Sequence, residues 1–202
     1  MKFILEVAGG EHTIFADEIC REMEESAKVR GTGIAKRSPD YIEKVMLSGK
    51  AVIALDNEKK FAGFSYIESW SHDCFVANSG LIVKPQYRKS GLARQIKKKI
   101  FELSRKKFPK AKIFSITTSL AVLKLNSEIG YKPVTFSELT DDETFWKGCE
   151  ACVNYDVLQR NNRKMCLCTG MLYDPDKMHM FNFIKKFNVL ERFRRITTAK
   201  TK

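Results

Sequence analysis

The 202-residue sequence predicts a mixed α/β protein. Short apolar runs bounded by Gly, Pro, Asn and Asp alternate with longer runs at helical spacing. The hydrophobic share is 44%, with 14 Phe, enough for a packed core and too much for a disordered chain. No internal repeat or low-complexity linker interrupts the alternation, and the length suits one domain.

The elements follow in order. Phe3 to Ala8 alternates like a strand and stops at Gly9-Gly10. Ile14, Ile19, Met23 and Ala27 share one helical face across Glu11 to Arg30, before Gly31 and Gly33. Ser38-Pro39 is an N-cap followed by a proline at the first helical position, and Tyr41, Ile42, Val45 and Met46 face inward as far as Gly49. Ala51 to Leu55 and Phe61 to Trp70 flank the turn Asp56–Lys59 and read as a hairpin. Phe75 to Val83 is the next strand, and Leu92 to Phe108 a strongly amphipathic helix with a basic wet face. After Pro109 come a strand over Lys112 to Thr118, a short helix over Ser119 to Ile129 closed by Gly130, and a strand over Tyr131 to Phe136. Asp141 to about Asn161 reads as partly helical and Lys164 to Leu172 as the last core strand. Met178 to Arg195 has the pattern of a basic amphipathic helix.

Composition narrows the function. No apolar run approaches the roughly 20 residues of a membrane helix. Met1–Val7 is too short and too charged for a signal peptide, so a cytoplasmic location is expected and the six Cys are thiols or metal ligands rather than disulfides. The formal net charge is +12. Seven Lys/Arg against one Glu in residues 178–202 supply half of it, and much of the rest lies on the helix from Gly91 to Lys112. Aromatic residues are not interleaved with this charge as a single-strand nucleic-acid platform requires, so no nucleic-acid partner is expected.

The chemistry concentrates at Arg88-Lys89-Ser90-Gly91-Leu92-Ala93, between a buried strand and a helix start. The first helical N–H groups lack internal partners and the helix dipole favours an anion there. Gly91 removes the Cβ that would block a phosphate, and Arg88 and Lys89 add charge. Neither common nucleotide-loop spacing is present. The segment instead resembles the pyrophosphate loop of the GNAT acyltransferases, [RQ]-x-x-G-x-[GA], with Arg88, Gly91 and Ala93 at the defined positions. The element order over residues 1–175 is similar to that family as well. So is Ser119–Tyr131, where Leu125, Gly130 and Tyr131 match its helix after the fifth strand.

The resemblance implies a largely antiparallel sheet flanked by helices, and acetyl-CoA or another acyl-CoA as donor. The pyrophosphate would lie on residues 88–93, with Arg94 and Ser119 also in the coenzyme site. The pantetheine arm would run between the strands 75–83 and 112–118, pairing with Leu81, Ile82 and Val83. An amine would attack the thioester directly, with an N–H near Ile82 or Val83 as oxyanion donor. Two departures from the family stand out. The position of its acidic Tyr is Asn126, which would hydrogen-bond the leaving sulfur. The position where some relatives carry the base is Ala77, so the base is sought at Glu68, with Asp73 and His72 as alternatives. Two stretches, Gly33–Ser38 and Asn154–Lys164, resemble the acceptor side of enzymes that acylate glutamate. They imply a small amino acid held by Lys36, Arg37, Arg160 and Lys164.

Cys149-x-x-Cys152 and Cys166-x-Cys168 fit a tetrahedral, structural Zn²⁺ site pinning an insertion at 140–172 to the last core strand. The alternative is four small buried hydrophobes. The basic tail, 176–202, places Phe181, Ile184, Phe187, Leu190 and Phe193 on one side, to pack on the domain or on a second copy as a homodimer.

Overall fold

The structure, a computed structural model, describes residues 2–30 and 37–177. Lys36 and the tail from Met178 onward lie outside them. The sheet has seven strands in the order β1-β2-β3-β4-β5-β7-β6. These are β1 (Ile4–Val7), β2 (Ala51–Leu55), β3 (Phe61–Trp70), β4 (Phe75–Val83), β5 (Lys112–Thr117), β6 (Lys132–Val134) and β7 (Thr169–Tyr173). Every neighbouring pair is antiparallel except β4 and β5. The helices are α1 (Ala16–Arg30), α2 (Pro39–Leu47), α3 (Leu92–Lys107), α4 (Leu120–Glu128), α5 (Glu143–Lys147) and α6 (Tyr155–Arg160). None of the described helices is long and apolar enough to cross a membrane.

Local chemistry explains the starts and stops. Ser38 Oγ accepts from the Tyr41 N–H at 3.3 Å and Pro39 opens α2, as the Ser-Pro pair predicts. Ser119 Oγ caps α4 through the Val122 N–H at 3.4 Å. Each of the five β2 side chains is buried, because helices cover both faces of the sheet. Ala51, Ile53 and Leu55 pack with Ile19, Ile42 and Met46 of α1 and α2. Val52 and Ala54 face the other way, toward Leu92, Ile96 and Ile100 of α3. A third cluster, with Phe114, Phe136, Trp146, Leu158 and Leu172, lies under the 139–168 segment.

The last core strand is shorter than predicted. It begins at Thr169, not Lys164. Its partners are reached only there, at Thr117↔Thr169 and Val134↔Gly170. Residues 158–164 fold back through successive turns, with Asn162 and Arg163 in the left-handed region. Cys166 and Cys168 therefore precede the strand instead of sitting on it.

Candidate active site

The parallel ladder between β4 and β5 has three rungs, Phe75↔Lys112, Val76↔Ile113 and Ala77↔Phe114. Both strands continue past the last rung, β4 to Val83 and β5 to Thr117, without pairing. The two strands splay there. A cavity of about 440 Å³ opens at the split, lined by Ala77 to Leu81 of β4 and Phe114 to Ser119 of β5 and the α4 cap. Peptide groups on a strand edge with no neighbour are donors and acceptors awaiting a partner.

A bulge shapes the β4 side. Tyr66 opposes Ser79 and Phe64 opposes Ile82, so Ser65 alone faces both Gly80 and Leu81. Gly80 has φ +61, and an added Cβ would enter the Tyr66 ring and come within 2.7 Å of Met23 Cε. Beyond the bulge, the Lys84 N–H bonds the Ala62 carbonyl at 3.0 Å. By the alternation of an antiparallel ladder, Ile82 then exchanges its backbone bonds with Phe64. Val83 turns its N–H and C=O toward the open edge, where its carbonyl accepts from Arg88 Nε at 3.1 Å. Ile82 is thus not available as a backbone donor to a ligand, and Val83 is.

The predicted anion loop lies beyond this edge. Gly91 is the N-cap of α3 at φ +83 and Lys89 is also left-handed, at φ +63. Nothing lies within 4 Å of where a Gly91 Cβ would stand. Ser90 Oγ donates to the Tyr87 carbonyl at 2.6 Å and accepts from the Leu92 N–H at 3.4 Å, fixing the turn. The N–H groups of Ala93 and Arg94, in the first helical turn, have no intrahelical acceptor. Arg88 is not poised over the loop as a bare charge, because its guanidinium also reaches Ser26 Oγ at 3.3 Å. Arg94 pairs with Glu128 at 2.9 Å.

Glu68 stands at the other end of the split. In the β3–β4 register Glu68 opposes Ala77, on the last rung before the ladder opens. Opposite residues of such a pair project to the same face, so the carboxylate reaches, from the neighbouring strand, the place that Ala77 leaves empty. Glu68 Oε1 accepts from Tyr41 Oη at 2.7 Å and from Arg37 Nη2 at 2.8 Å. Arg37 Nε also donates to Tyr66 Oη at 2.9 Å. Burial, and then the Glu68 charge, push both phenols well above their ordinary range, so both stay protonated. Burial works against the Arg37 charge, but Tyr66 and Glu68 outweigh it and the guanidinium is held protonated. Tyr41 was legible in the sequence only as an inward-facing position, and Tyr66 only as part of a strand.

The remaining wall is aromatic and thiol-bearing. Trp70, Phe114 and Phe145 meet at centroid distances of 5.0 to 5.7 Å, with Tyr155 beside them. Cys149, Cys152, Cys166 and Cys168 all line the same cavity. Burial, then the neighbouring cysteines, push Cys149 up to about 11 and Cys168 up to about 12.

Several predicted site residues fall elsewhere. Asn126 is fully buried, does not line the cavity, and has no partner for either side-chain amide atom. It is not placed to meet a leaving sulfur there. Arg160 and Lys164 are exposed and outside the cavity lining, because the turns after α6 carry them away. Asp73 and His72 sit exposed in a left-handed turn after β3, also outside the lining. Of the predicted acceptor-side cations among the described residues, Arg37 is the one on the cavity wall.

No family model matches the chain, and no curated protein sequence matches it. Solved structures do. The N-acetylglutamate synthase of Neisseria gonorrhoeae, complexed with coenzyme A and N-acetyl-glutamate, superposes with a TM-score of 0.60 at 16% identity, over 86% of this chain and 35% of that one. This chain thus spans about a third of that synthase. A Mycobacterium tuberculosis protein in complex with CoA matches with a TM-score of 0.60 at 14% identity, over 85% of this chain and 98% of that one. A GNAT superfamily phosphinothricin acetyltransferase of Sinorhizobium meliloti, in complex with AcCoA, matches with a TM-score of 0.59 at 13% identity, over 86% and 89%. With its split parallel pair, bulged β4 and glycine-led α3, the chain has the fold of the GNAT acetyltransferases.

Proposed function

We propose that the protein is an acyl-CoA-dependent N-acyltransferase, with acetyl-CoA the donor to test first. The observation that carries this reading is the rung Glu68–Ala77–Phe114, where a half-buried carboxylate meets the point at which β4 and β5 part. The coenzyme's pyrophosphate rests on the loop 88–93 and its pantetheine amides pair along the open edge, with Val83 as one partner. Val83 lies six residues from Ala77, roughly 20 Å along a strand, too far to serve the same carbonyl as Glu68. The bulge residues Gly80 and Leu81, which line the cavity, are the nearer backbone to the thioester. The acceptor ammonium loses a proton to Glu68, whose Oε1 is held by Tyr41 and Arg37. The amine nitrogen then bonds to the thioester carbon, the carbon–sulfur bond breaks, and the second nitrogen proton passes to the departing sulfur, which leaves as the coenzyme thiol. Holding the two reactants in line supplies most of the rate, up to roughly 7–11 kcal/mol for well-oriented partners.

The acceptor we assign is a small amino acid, with glutamate first. Among the described lining residues Arg37 is the one Lys or Arg side chain, and an acceptor carboxylate would share it with Glu68. The gonococcal structure is that of a synthase with N-acetyl-glutamate. A second reading, favoured by Trp70, Phe114, Phe145 and Tyr155, is an amino acid with an apolar body. Thiol release from acetyl-CoA and succinyl-CoA, measured against glutamate, apolar amino acids and a polyamine, separates them. Turnover with glutamate is expected. Turnover with apolar amino acids alone selects the second reading, and no thiol release with any amine removes the enzyme reading.

A further inference from the structure

We propose that Cys149, Cys152, Cys166 and Cys168 bind one structural Zn²⁺ ion that pins the 139–168 segment to the core. Three observations converge. The first pair is set by backbone turns: the Cys149 N–H bonds the Trp146 carbonyl, the Cys152 N–H bonds the Cys149 carbonyl at 2.9 Å, and the Tyr155 N–H bonds the Cys152 carbonyl. Successive i→i+3 bonds of this kind bring side chains at i and i+3 onto one side. The second pair is set by alternation, since Leu167 is 64% exposed while Cys166 and Cys168 on either side of it are half-buried and face inward. Both pairs line one cavity wall, and Cys166 Sγ reaches the Asn154 carbonyl at 3.8 Å, bridging the two segments.

The third observation is the need for a tie. Between Leu139 and Thr169 the chain has two helices of five and six residues and no strand. It also holds Asn162 and Arg163 in the left-handed region, at about 1–2 kcal/mol each for L-residues. A loop-rich segment with little core of its own is where a metal is used to supply folding energy.

Zinc takes four thiolates tetrahedrally at about 2.3 Å and gives up their protons to solvent. No three of the sulfurs now fall within 4.8 Å of one another, so closure requires side-chain rotation between staggered wells. A single other group of described residues, Glu6, Glu11 and His12, has three candidate ligands that close. There His12 Nδ1 already accepts the Gly9 N–H at 3.1 Å. The proposal does not depend on the acyl-transfer reading, and its test reads metal rather than turnover.

The full chain, purified without added metal, should carry about one zinc per molecule. That content should survive Cys20→Ser, Cys74→Ser and His12→Gln, and fall about tenfold in Cys152→Ser and Cys168→Ser. Because those two variants can misfold, a second measurement uses the wild type. Titration with p-hydroxymercuribenzoate should release the zinc as the thiols are modified, and Co²⁺ exchange should give the near-ultraviolet charge-transfer and visible d–d bands of a tetrahedral thiolate site. Wild-type protein that holds no zinc and takes up no Co²⁺ overturns the proposal. So does zinc that is lost with His12→Gln, or four thiols that oxidise to disulfides reversed by reductant with no metal released.

Discussion

Glu68 is the residue on which the proposed chemistry turns. Glu68→Gln keeps acceptors for the Tyr41 and Arg37 hydrogen bonds but removes the proton-accepting charge. We expect kcat/KM to fall about 10²- to 10⁴-fold, measured by steady-state thiol release. Lys97 makes a different kind of prediction. It is 2% exposed, and burial alone lowers it to about 7, with its ammonium 5.0 Å from the Tyr131 ring centroid. The unfolded chain holds that proton up to its ordinary 10.5. Between those pH values the unfolded state therefore binds more protons, and folding stability rises with pH. Below about 7 both states hold the proton and the burial penalty is complete. Lys97→Met should be more stable than the wild type at pH 7, and its advantage should shrink toward pH 10 by at most about 1.4 kcal/mol per pH unit. Urea denaturation of both proteins at pH 7 and 9 measures this, and a difference independent of pH would refute it.

At the scale of elements, β4 carries the site. Its first three residues belong to a parallel ladder and its last residues to an open edge, with the Gly80–Leu81 bulge between them. Two glycines in the left-handed region frame that edge, and their surroundings predict different sensitivities. Gly80→Ala meets Tyr66 and Met23 as well as an unfavourable φ, so we expect a loss of about 2–4 kcal/mol. Since Tyr66 holds Arg37, the loss extends to activity. Gly91→Ala meets open space and carries only the conformational penalty, about 1–2 kcal/mol. Equal losses in chemical denaturation would contradict this assignment. Helix starts such as Ser38-Pro39 were legible in the sequence because a cap and its first turn are local. The start of β7 was not, because a strand begins where its partners do, and those partners are Thr117 and Val134.

At the scale of the molecule, three cores meet along one sheet, and the cavity lies where the third of them closes against the split. A coenzyme that completes the open edge should stabilise the whole domain. At a hundredfold excess over its Kd the gain is about 2.7 kcal/mol, which for a domain of this size is a rise of about 5–10 °C in Tm. Scanning calorimetry with coenzyme A and acetyl-CoA should show it. Adenosine lacks the pantetheine arm that pairs along β4 and should give little. No shift with either coenzyme at millimolar concentration would count against the site.

The sequence by itself determined the order of elements and the glycine-led turn before α3. These rest on periodicity, capping and backbone freedom, which act over a few residues. It also brought Glu68 forward as a base, though without a reason to prefer it to Asp73 or His72. Only the tertiary structure separates their positions. Register sets Glu68 opposite Ala77, and the end of the β4–β5 ladder puts both at the mouth of the cavity. Register likewise turned Val83 outward and Ile82 inward, and the turns after α6 carried Arg160 and Lys164 off the cavity wall. Such outcomes depend on which backbone groups find partners across the sheet, and residues far apart in the chain settle that together.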